Sequence, residues 1–439
     1  MRQQRVGNVR WSIAALLGAG IIINYFDRVN LSVATTPLIK EFHLSNADIG
    51  VILSSYLWSY TLLQIPVGTM LDRIGVKWMM RVGTIIWSIA SFMTAIVNGF
   101  GLIILSRVLL GIGESPAFPG SSKATGYWFP LTERGRATTA FDAAAKLSSA
   151  IGLPTIALAV ATWGWRAGFW VTGILSLIYA IIFWLLYRNP GESRRLSEAE
   201  RNYIVEGGSQ QEGTFPANAA SSMGFLLRQR KIWGLTLAFT CYNYAFNLFL
   251  VWLPGYLQTQ LHASVLKSGL YLVIPWLVAA ITDVLVGGVL VDKLISNGHE
   301  PTRVRRTLFT IGMLLGVAAA GATFTTNINV AIIWLTISLA GLAFAAPIAW
   351  SIPSLIAPRG TVGSVGGIMN FLGNLGGIVA PIVAGIVADR YGFGVNFLIT
   401  GAILLVGILC FLFILGKIEQ IEAPPSGESG ITEKGAPAA

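Results

Sequence analysis

The stretch LIILSRVLLGIGESPAFPG, residues 102–120, decides the fold class because it carries two opposite charges inside an apolar run. Arg107 and Glu114 are seven residues apart, almost two helical turns, so on a helix they share a face and lie about 10 Å apart along its axis. A charge buried against lipid is costly. The face that carries both must therefore turn toward protein or a water-filled cavity, and we expect whatever binds or moves here to meet that face.

The composition is that of an integral membrane protein. Hydrophobic residues make up 54% of the 439 residues and charged residues only 11%, against about 25% charged in an ordinary soluble domain. The mean hydropathy is +0.67. Apolar runs of roughly 20 residues recur from end to end, and each is long enough to cross a ~30 Å hydrocarbon core as a helix.

Twelve such segments are predicted, which makes the fold all-α. They lie near residues 11–34, 48–71, 79–98, 101–126, 137–162, 166–187, 232–258, 268–292, 306–325, 329–354, 362–388 and 394–416. The polar connection between the sixth and seventh segments has the composition of a linker with one short surface helix. We therefore expect two six-helix bundles, 1–187 and 232–416, joined by a linker at 188–231 and followed by a disordered tail at 417–439.

The net charge is +10, and the positions of the basic residues along the chain indicate what it means. Arg and Lys crowd alternate connections, including 73–81, 134–136, 188–231 and 293–306. This positive-inside pattern places both termini and the middle loop in the cytoplasm. A basic surface for nucleic acid is disfavoured because the charges are scattered over short loops without clustered aromatics. The expected surroundings are a lipid bilayer, without nucleic acid.

A short repeat supports the division into halves. A glycine followed four residues later by Asp and a basic residue recurs at Gly68–Arg73, Gly288–Lys293 and Gly385–Arg390. These copies end predicted spans 2, 8 and 11. A separation of six spans fits two parallel halves, and a separation of three fits inverted three-helix repeats within a half, an arrangement found in secondary transporters that alternate access around a midplane site.

Several stretches resemble a known family. They are NYFDRVNLSVA (24–34), YTLLQIPVGTMLDR (60–73), RVLLGIGESPAFPG (107–120), YWFPLTERGRA (127–137) and GGIMNFLGNLGGIVAP (366–381). They resemble the major facilitator superfamily and, within it, the anion:cation symporters, which include bacterial galactonate, glucarate and hexuronate transporters and the animal sialic-acid carrier. The resemblance covers nearly the whole membrane part. It implies proton-coupled uptake of a small organic anion, most of all a sugar acid, by a monomer in a bacterial inner membrane.

The charged residues of spans 1 and 4 are the main candidates for function. Asp27 and Arg28 are adjacent inside span 1, where charge is a functional candidate by default, although a structural ion pair between helices is the alternative. A carboxyl group in a low dielectric holds a proton more readily, and a nearby guanidinium opposes this. The resemblance implies that Asp27 and Glu114 carry protons, that Arg107 exchanges partners between them, and that Arg28 contacts the anion.

Span 5 contains Asp142 and Lys146, four residues apart and therefore on one helix face. A mutually neutralising pair and a substrate role for Lys146 both remain open. The sugar-acid relatives have a neutral Gln at the position matching Lys146 and an uncharged residue at that of Asp142, so the extra cation suggests a differently charged or larger anion. Asp283 in span 8 is unexpected, and either a cavity surface or a helix contact would explain it.

The remaining substrate candidates are aromatic or uncharged polar residues. They are Tyr25, Tyr60, Gln64, Trp350, Asn370 and Asn374. Trp350 and Asn370 fall at family positions that contact sugar acids, but Pro347 and Ala349 replace the hydroxyl residues expected beside that Trp. Fewer hydroxyl partners leave room for a flatter acid, such as an aromatic carboxylate. Polar contacts between helices are the alternative for the asparagines.

The sequence leaves some functions other than uptake open and disfavours others. Efflux by proton antiport shares the fold, and a sensor that binds without transporting remains open. An enzyme or an ATP-driven pump is disfavoured because the chain has no phosphate-binding loop and no catalytic motif. Cys241 and Cys410 lack metal or disulfide spacing, so neither a metal site nor a cofactor is expected.

Overall fold

The computed structural model describes residues 6–209, 223–358 and 361–422, and these residues form helices and connections without a strand. Within these described ranges, twelve helical rods run back and forth, as the sequence predicts. The first six are α1 Val9–Val33, α2 Asn46–Ile74, α3 Val76–Ile96, α4 Phe100–Trp128, α5 Leu131–Trp163 and α6 Trp165–Leu186. The second six are α7 Arg230–Thr259, α8 (265–296), α9 Pro301–Phe324, α10 Ile328–Ile356, α11 Val362–Tyr391 and α12 Phe393–Leu415.

Several rods are interrupted. The segments are Phe100–Glu114 and Ala117–Trp128 in α4; Val265–Tyr271, Val273–Thr282, a π-helical stretch Asp283–Leu290 and Val291–Ser296 in α8; Pro301–Val317 and a 3-10 stretch Ala318–Phe324 in α9; Ile328–Ser351 and Pro353–Ile356 in α10; Phe393–Leu409 and a π-helical stretch Cys410–Leu415 in α12. Short helices lie outside the rods at Thr35–Phe42, Pro190–Glu192, Glu198–Glu206 and Met223–Leu227.

The outer surface is apolar. Eleven spans among the described residues have the length and hydropathy to cross a membrane. The twelfth rod, α2, is 29 residues long and carries several serines and tyrosines. Outward-facing side chains are large and hydrophobic, with Leu62 67%, Ile96 62% and Phe413 67% exposed. Such a surface would promote aggregation in water, and it fits a multi-pass protein surrounded by lipid.

The connections repeat every three rods. The turns α2–α3, α5–α6, α8–α9 and α11–α12 each contain a glycine in the left-handed region: Gly75 (φ 85°), Gly164 (85°), Gly298 (90°) and Gly392 (81°). Glycine adopts this conformation without the steric cost that a Cβ would add. The recurrence in the same connection of all four three-helix units agrees with the internal repeat in the sequence.

The two halves meet at one end and separate at the other. Gly50 and Gly68 of α2 are 18 residues apart, five full turns, and so share a face, as do Gly385 and Gly367 of α11. A Cβ added at Gly50 or Gly385 would overlap the backbone of the opposite half, whereas at Gly68 or Gly367 it would meet no described atom within 4 Å. We name these the closed end and the open end. The open end is the one where α1 begins.

Polar contacts reinforce the closed end. The Asp389 carboxylate accepts hydrogen bonds from the backbone of Asn46 at 3.1 Å and of Ala47 at 2.9 Å, at the start of α2. Gln258 of α7 donates to the carbonyl of Val33 at 3.3 Å. Asp389 belongs to the repeat found in the sequence, so one copy of that pattern joins the halves.

The middle connection packs against the first half. The short helix expected there is Glu198–Glu206. Its Glu200 is fully buried and accepts hydrogen bonds from the backbone of Val9 at 3.3 Å and of Arg10 at 3.2 Å. Arg10 also pairs with Glu133 at the start of α5 at 2.7 Å, and Tyr203 of the short helix donates to Glu133 at 3.0 Å. The short helix therefore contacts both α1 and α5. Residues 210–222, and residues 423–439 of the predicted disordered tail, lie outside the described residues.

Candidate functional site

Arg28 lies in a ring of aromatic side chains that faces the second half. Its guanidinium carbon is 4.7 Å from the ring centre of Tyr25, 4.9 Å from that of Tyr56 and 5.0 Å from that of Tyr60. Arg28 Nε also contacts Oε2 of Glu114 at 3.3 Å, and the two side chains are 11% and 0% exposed. Cation–π contacts and the carboxylate together offset the cost of holding this charge inside the protein.

The arrangement around Arg28 is polar but incompletely paired. Among the described residues, Oε1 of Glu114, Nη2 of Arg28 and the hydroxyl of Tyr56 have no hydrogen-bond partner. Buried polar atoms are nearly always paired, so three unpaired ones in one place require an explanation. A bound anion would accept from Arg28 and Tyr56, and a proton on Glu114 would let that side chain donate.

Asp27, the neighbour of Arg28 in sequence, has a different environment. Its carboxylate accepts from Ser91 of α3 at 2.6 Å and from Ser176 of α6 at 2.9 Å. Arg107 reaches the backbone carbonyl of Asp27 at 3.3 Å and the hydroxyl of Thr94 at 3.3 Å. Adjacent residues of α1 therefore point to opposite sides: Asp27 into the first bundle and Arg28 toward the interface.

Two glycines of α4 allow this helix, which carries Arg107 and Glu114, to approach α2 and α3 closely. A Cβ at Gly111 would overlap the carbonyl of Tyr56 on α2, and one at Gly113 would collide with the backbone of Trp87 on α3. The first segment of α4 ends at Glu114, and Pro116 precedes the second. The glycines thus allow the close helix approach that the sequence predicts, and the interruption follows directly after the carboxylate.

A cavity lies between the halves beside the two arginines. Its lining from the first half is Arg28, Leu31, Leu53, Tyr56, Leu57 and Arg107, and from the second half Asn247, Leu250, Val251 and Pro381. Four elements, α1, α2, α7 and α11, therefore share this cavity with α4. Both cations reach the interface, while the second half contributes one amide and otherwise apolar groups.

The second-half candidates are not among the residues that line this cavity. Trp350 is 47% exposed and packs edge-on against Phe239 at 5.3 Å between ring centres. Asn370 is half-buried, and Asn374 is buried with an amide nitrogen that bonds to no described atom. In α2, Gln64 is half-buried and donates to the carbonyl of Tyr60 in its own helix at 3.4 Å.

Lys146 makes a contact that the sequence did not predict. Its Nζ lies 3.3 Å from Oδ2 of Asp283, and the two side chains are 7% and 4% exposed. Because Lys146 belongs to α5 and Asp283 to α8, this is a buried ion pair between the halves. The side chain of Asp142 lies outside the part of the chain that the structure describes, so the Asp142–Lys146 pair stays a prediction.

The structure thus brings Tyr25, Arg28, Tyr60 and Glu114 into one group and Asp27 and Arg107 into a second. Sequence reasoning missed Tyr56, Ser91 and Ser176. For Tyr56 a signal existed, since Tyr56, Tyr60 and Gln64 follow each other at four-residue spacing along one face of α2. The two serines carry no such signal, because isolated serines are frequent in membrane helices.

Comparison with known proteins places the chain among transporters. The family model of the Major Facilitator Superfamily matches residues 17–381 and again residues 302–438. The chain is 41% identical to the uncharacterized transporter YybO of Bacillus subtilis, over 96% of this chain and 97% of that protein. It is 30% identical to the D-galactonate transporter of Escherichia coli O6:H1, over 94% of this chain and 97% of that protein.

The fold is also found among solved structures. A bacterial homolog of the human lysosomal transporter Spinster, in an inward-facing and occupied conformation, superposes with a TM-score of 0.76 at 16% identity. The match covers 93% of this chain and 97% of that one. At this identity the likeness concerns the arrangement of the helices.

Proposed function

This chain belongs to the Major Facilitator Superfamily, and from that membership we propose that it takes up a small organic anion together with protons by alternating access. Membership of this family makes the chain a transporter and not an enzyme, which confirms the sequence prediction. The predicted resemblance to sugar-acid transporters is confirmed by the D-galactonate transporter among the relatives. The anion, the proton coupling and the residues that serve them belong to the proposal.

The observation that carries the proposal is the incompletely paired Arg28. It is one of the cations at the interface between the halves. Three tyrosine rings hold its position, and one of its nitrogens has no partner among the described residues. A carboxylate of the substrate would complete the pairing and compete with Glu114 for the guanidinium. The further substrate-binding candidates of the proposal are Tyr25, Tyr60, Gln64, Trp350, Asn370 and Asn374.

Proton coupling follows from the same competition. When a substrate anion pairs with Arg28, Glu114 loses its cation in a fully buried position. An uncompensated buried carboxylate is strongly disfavoured, so it takes up a proton. Asp27 is the second proton site of the proposal, and Arg107, which already contacts its backbone, is the residue that shifts between the two acids.

The substrate class is proposed from the relatives and limited by the cavity. A D-galactonate transporter among the relatives favours a sugar acid, whether an aldonate, an aldarate or a hexuronate. Mostly apolar groups line the cavity beside Arg28, and the tyrosine rings provide flat surfaces. That lining keeps an aromatic carboxylate as the alternative substrate.

The proposed setting is the inner membrane of a bacterium. The positive-inside pattern of the loops puts the open end, with both termini, in the cytoplasm, so the cleft described here opens inward. The proposed units are the bundles 1–187 and 232–416, the linker 188–231 and the tail 417–439. Rocking of one bundle against the other would close the open end and separate Gly50 from α11.

The test is uptake of labelled D-galactonate into proteoliposomes that contain the purified protein. Symport predicts accumulation above the external concentration when the interior is made alkaline, and abolition of that accumulation by a protonophore. Equilibration that ignores the gradient would contradict proton coupling. Stimulation by an acidic interior would support proton antiport, the alternative mechanism.

A further inference from the structure

A buried ion pair links the two halves away from the Arg28 site. Lys146 and Asp283 lie near the middle of α5 and α8, both nearly inaccessible, with Nζ and Oδ2 3.3 Å apart. Each charge alone would be costly at this depth, and the pair compensates both. Because its members belong to different halves, the pair lies on the interface between them.

From this contact, and on the basis of the proposed function, we infer that Lys146 is a second anion site of the cleft, which Asp283 occupies when no substrate is bound. A substrate carboxylate is the same chemical group as the Asp283 side chain. Exchange of one for the other keeps the buried lysine compensated, and the released Asp283 carboxylate takes up a proton, as proposed for Glu114. The substrate class implied is a dianion, with one group on Arg28 and the other on Lys146.

The spacing of the two cations fits an extended dianion. Ser148, two residues after Lys146, donates to the carbonyl of Ile22 in α1 at 2.6 Å. Since α1 and α5 run in the same direction, Lys146 lies level with residue 20, about 12 Å before Arg28 along the axis. An anion with charges at opposite ends of a carbon chain spans this separation better than one with a single charged group.

The position of Asp283 in its helix suits a group that changes partner. It follows Thr282, whose hydroxyl contacts the carbonyl of Ala340 in α10 at 3.2 Å. Asp283 also begins the π-helical stretch Asp283–Leu290, and such turns are frequent at functional sites because they hold one residue more than an α-helical turn. Release of Asp283 would remove a tie between the halves, so binding at Lys146 would favour their rearrangement.

The experiment compares two sugar acids on the purified full-length protein at equal ionic strength. Affinity is measured by thermal shift with D-glucarate, which has two carboxylates, and D-galactonate, which has one. The variants are Asp283→Asn, the neutral double variant Lys146→Gln with Asp283→Asn, and the charge swap Lys146→Asp with Asp283→Lys. The neutral double variant leaves no unpaired charge from this pair, so it is expected to fold.

The inference predicts that Asp283→Asn tightens D-glucarate binding because Lys146 loses its internal competitor. The neutral double variant should weaken D-glucarate binding by about tenfold or more, as loss of a charge-assisted contact does, while D-galactonate is nearly unaffected. The charge swap should restore the melting temperature of the ligand-free protein but not D-glucarate binding, because the cation then projects from the other half.

Two results would overturn the inference. One is a charge swap that restores both the melting temperature and D-glucarate binding, which would make the pair purely structural. The other is an unchanged ratio of D-glucarate to D-galactonate affinity in the neutral double variant. If neither acid stabilises the wild-type protein, the sugar-acid substrate of the proposed function fails and this inference fails with it. If the wild type binds both acids and the variants do not alter the ratio of the two affinities, only the role of Lys146 is wrong and the proposed function stands.

Discussion

Two buried carboxylates of the first half, Asp27 and Glu114, have opposite surroundings. Asp27 receives hydrogen bonds from two serines, one to each oxygen, at 2.6 and 2.9 Å. Glu114 has one oxygen on Arg28 at 3.3 Å and one oxygen without a partner among the described residues. Both are fully buried, so burial alone does not distinguish them.

This difference in hydrogen bonding indicates which of the two carboxylates can change its partner. A carboxylate held by fixed hydroxyls is stabilised in one arrangement, and disturbing it costs folding free energy. A carboxylate whose cation also faces the interface can lose that cation to a ligand when it takes up a proton in exchange. We therefore assign the rearranging role to the Glu114 group and a more static role in this conformation to the Asp27 group.

The largest effect is expected for Arg28→Ala. Truncating one member of a buried, hydrogen-bonded charge pair costs about 2–5 kcal/mol, so binding of the substrate anion should weaken by about 30-fold or more. Affinity is measured by thermal shift or equilibrium binding with D-galactonate. The matched control Arg28→Lys keeps the charge but not the planar fork, and should retain part of the binding. Unchanged affinity in Arg28→Ala would show that the anion does not bind at Arg28.

A smaller effect, on stability and not on binding, is expected for Ser91→Ala and Ser176→Ala. Each removes one hydrogen bond to the Asp27 carboxylate, a loss of about 1–3 kcal/mol in unfolding free energy. The melting temperature should fall while affinity for the anion stays nearly constant. Ser88→Ala is the control on α3, since Ser88 bonds to the carbonyl of Thr84 in its own helix at 2.7 Å. If Ser91→Ala and Ser176→Ala weaken anion binding more than they lower the melting temperature, the static role assigned to Asp27 is wrong.

The smallest effect is expected for Tyr56→Phe, which removes only an unpaired hydroxyl and keeps the ring beside Arg28. Stability should hardly change, whereas anion affinity should fall by about 1 kcal/mol, the value of one hydrogen bond. Tyr179→Phe is the control, because the Tyr179 hydroxyl is also buried and bonds to no described group, while its ring stacks on Trp87 of α3 and not on Arg28. Equal anion binding by Tyr56→Phe and the wild type would show that this hydroxyl does not contact the substrate.

Much of the fold is predictable from the sequence because the signals are local. Hydropathy and segment length predict all twelve rods. The polar connection after the sixth segment and the short repeat predict the division into halves. The interruptions are less predictable: Pro116 indicates the break in α4, but no residue type marks the π-helical stretch that begins at Asp283.

The site is only partly predictable, because its contacts join residues far apart in the chain. Periodicity places Arg107 and Glu114 on one face, yet the cation that Glu114 contacts is Arg28, which is 86 residues away in sequence. That contact depends on the close approach of α4 to α2 and α3 at Gly111 and Gly113. The Lys146–Asp283 pair likewise requires the two halves to be docked, which no local pattern specifies. The exchange of Arg107 between the acids stays a prediction.

The most direct test of the central claim is transport by Glu114→Gln in proteoliposomes, measured both as accumulation driven by a pH gradient and as counterflow of labelled anion without a gradient. Because Gln cannot carry the proton but leaves Arg28 at the interface, we expect counterflow to persist and gradient-driven accumulation to disappear. Accumulation that survives in Glu114→Gln would contradict the coupling role of this carboxylate and the contrast with Asp27.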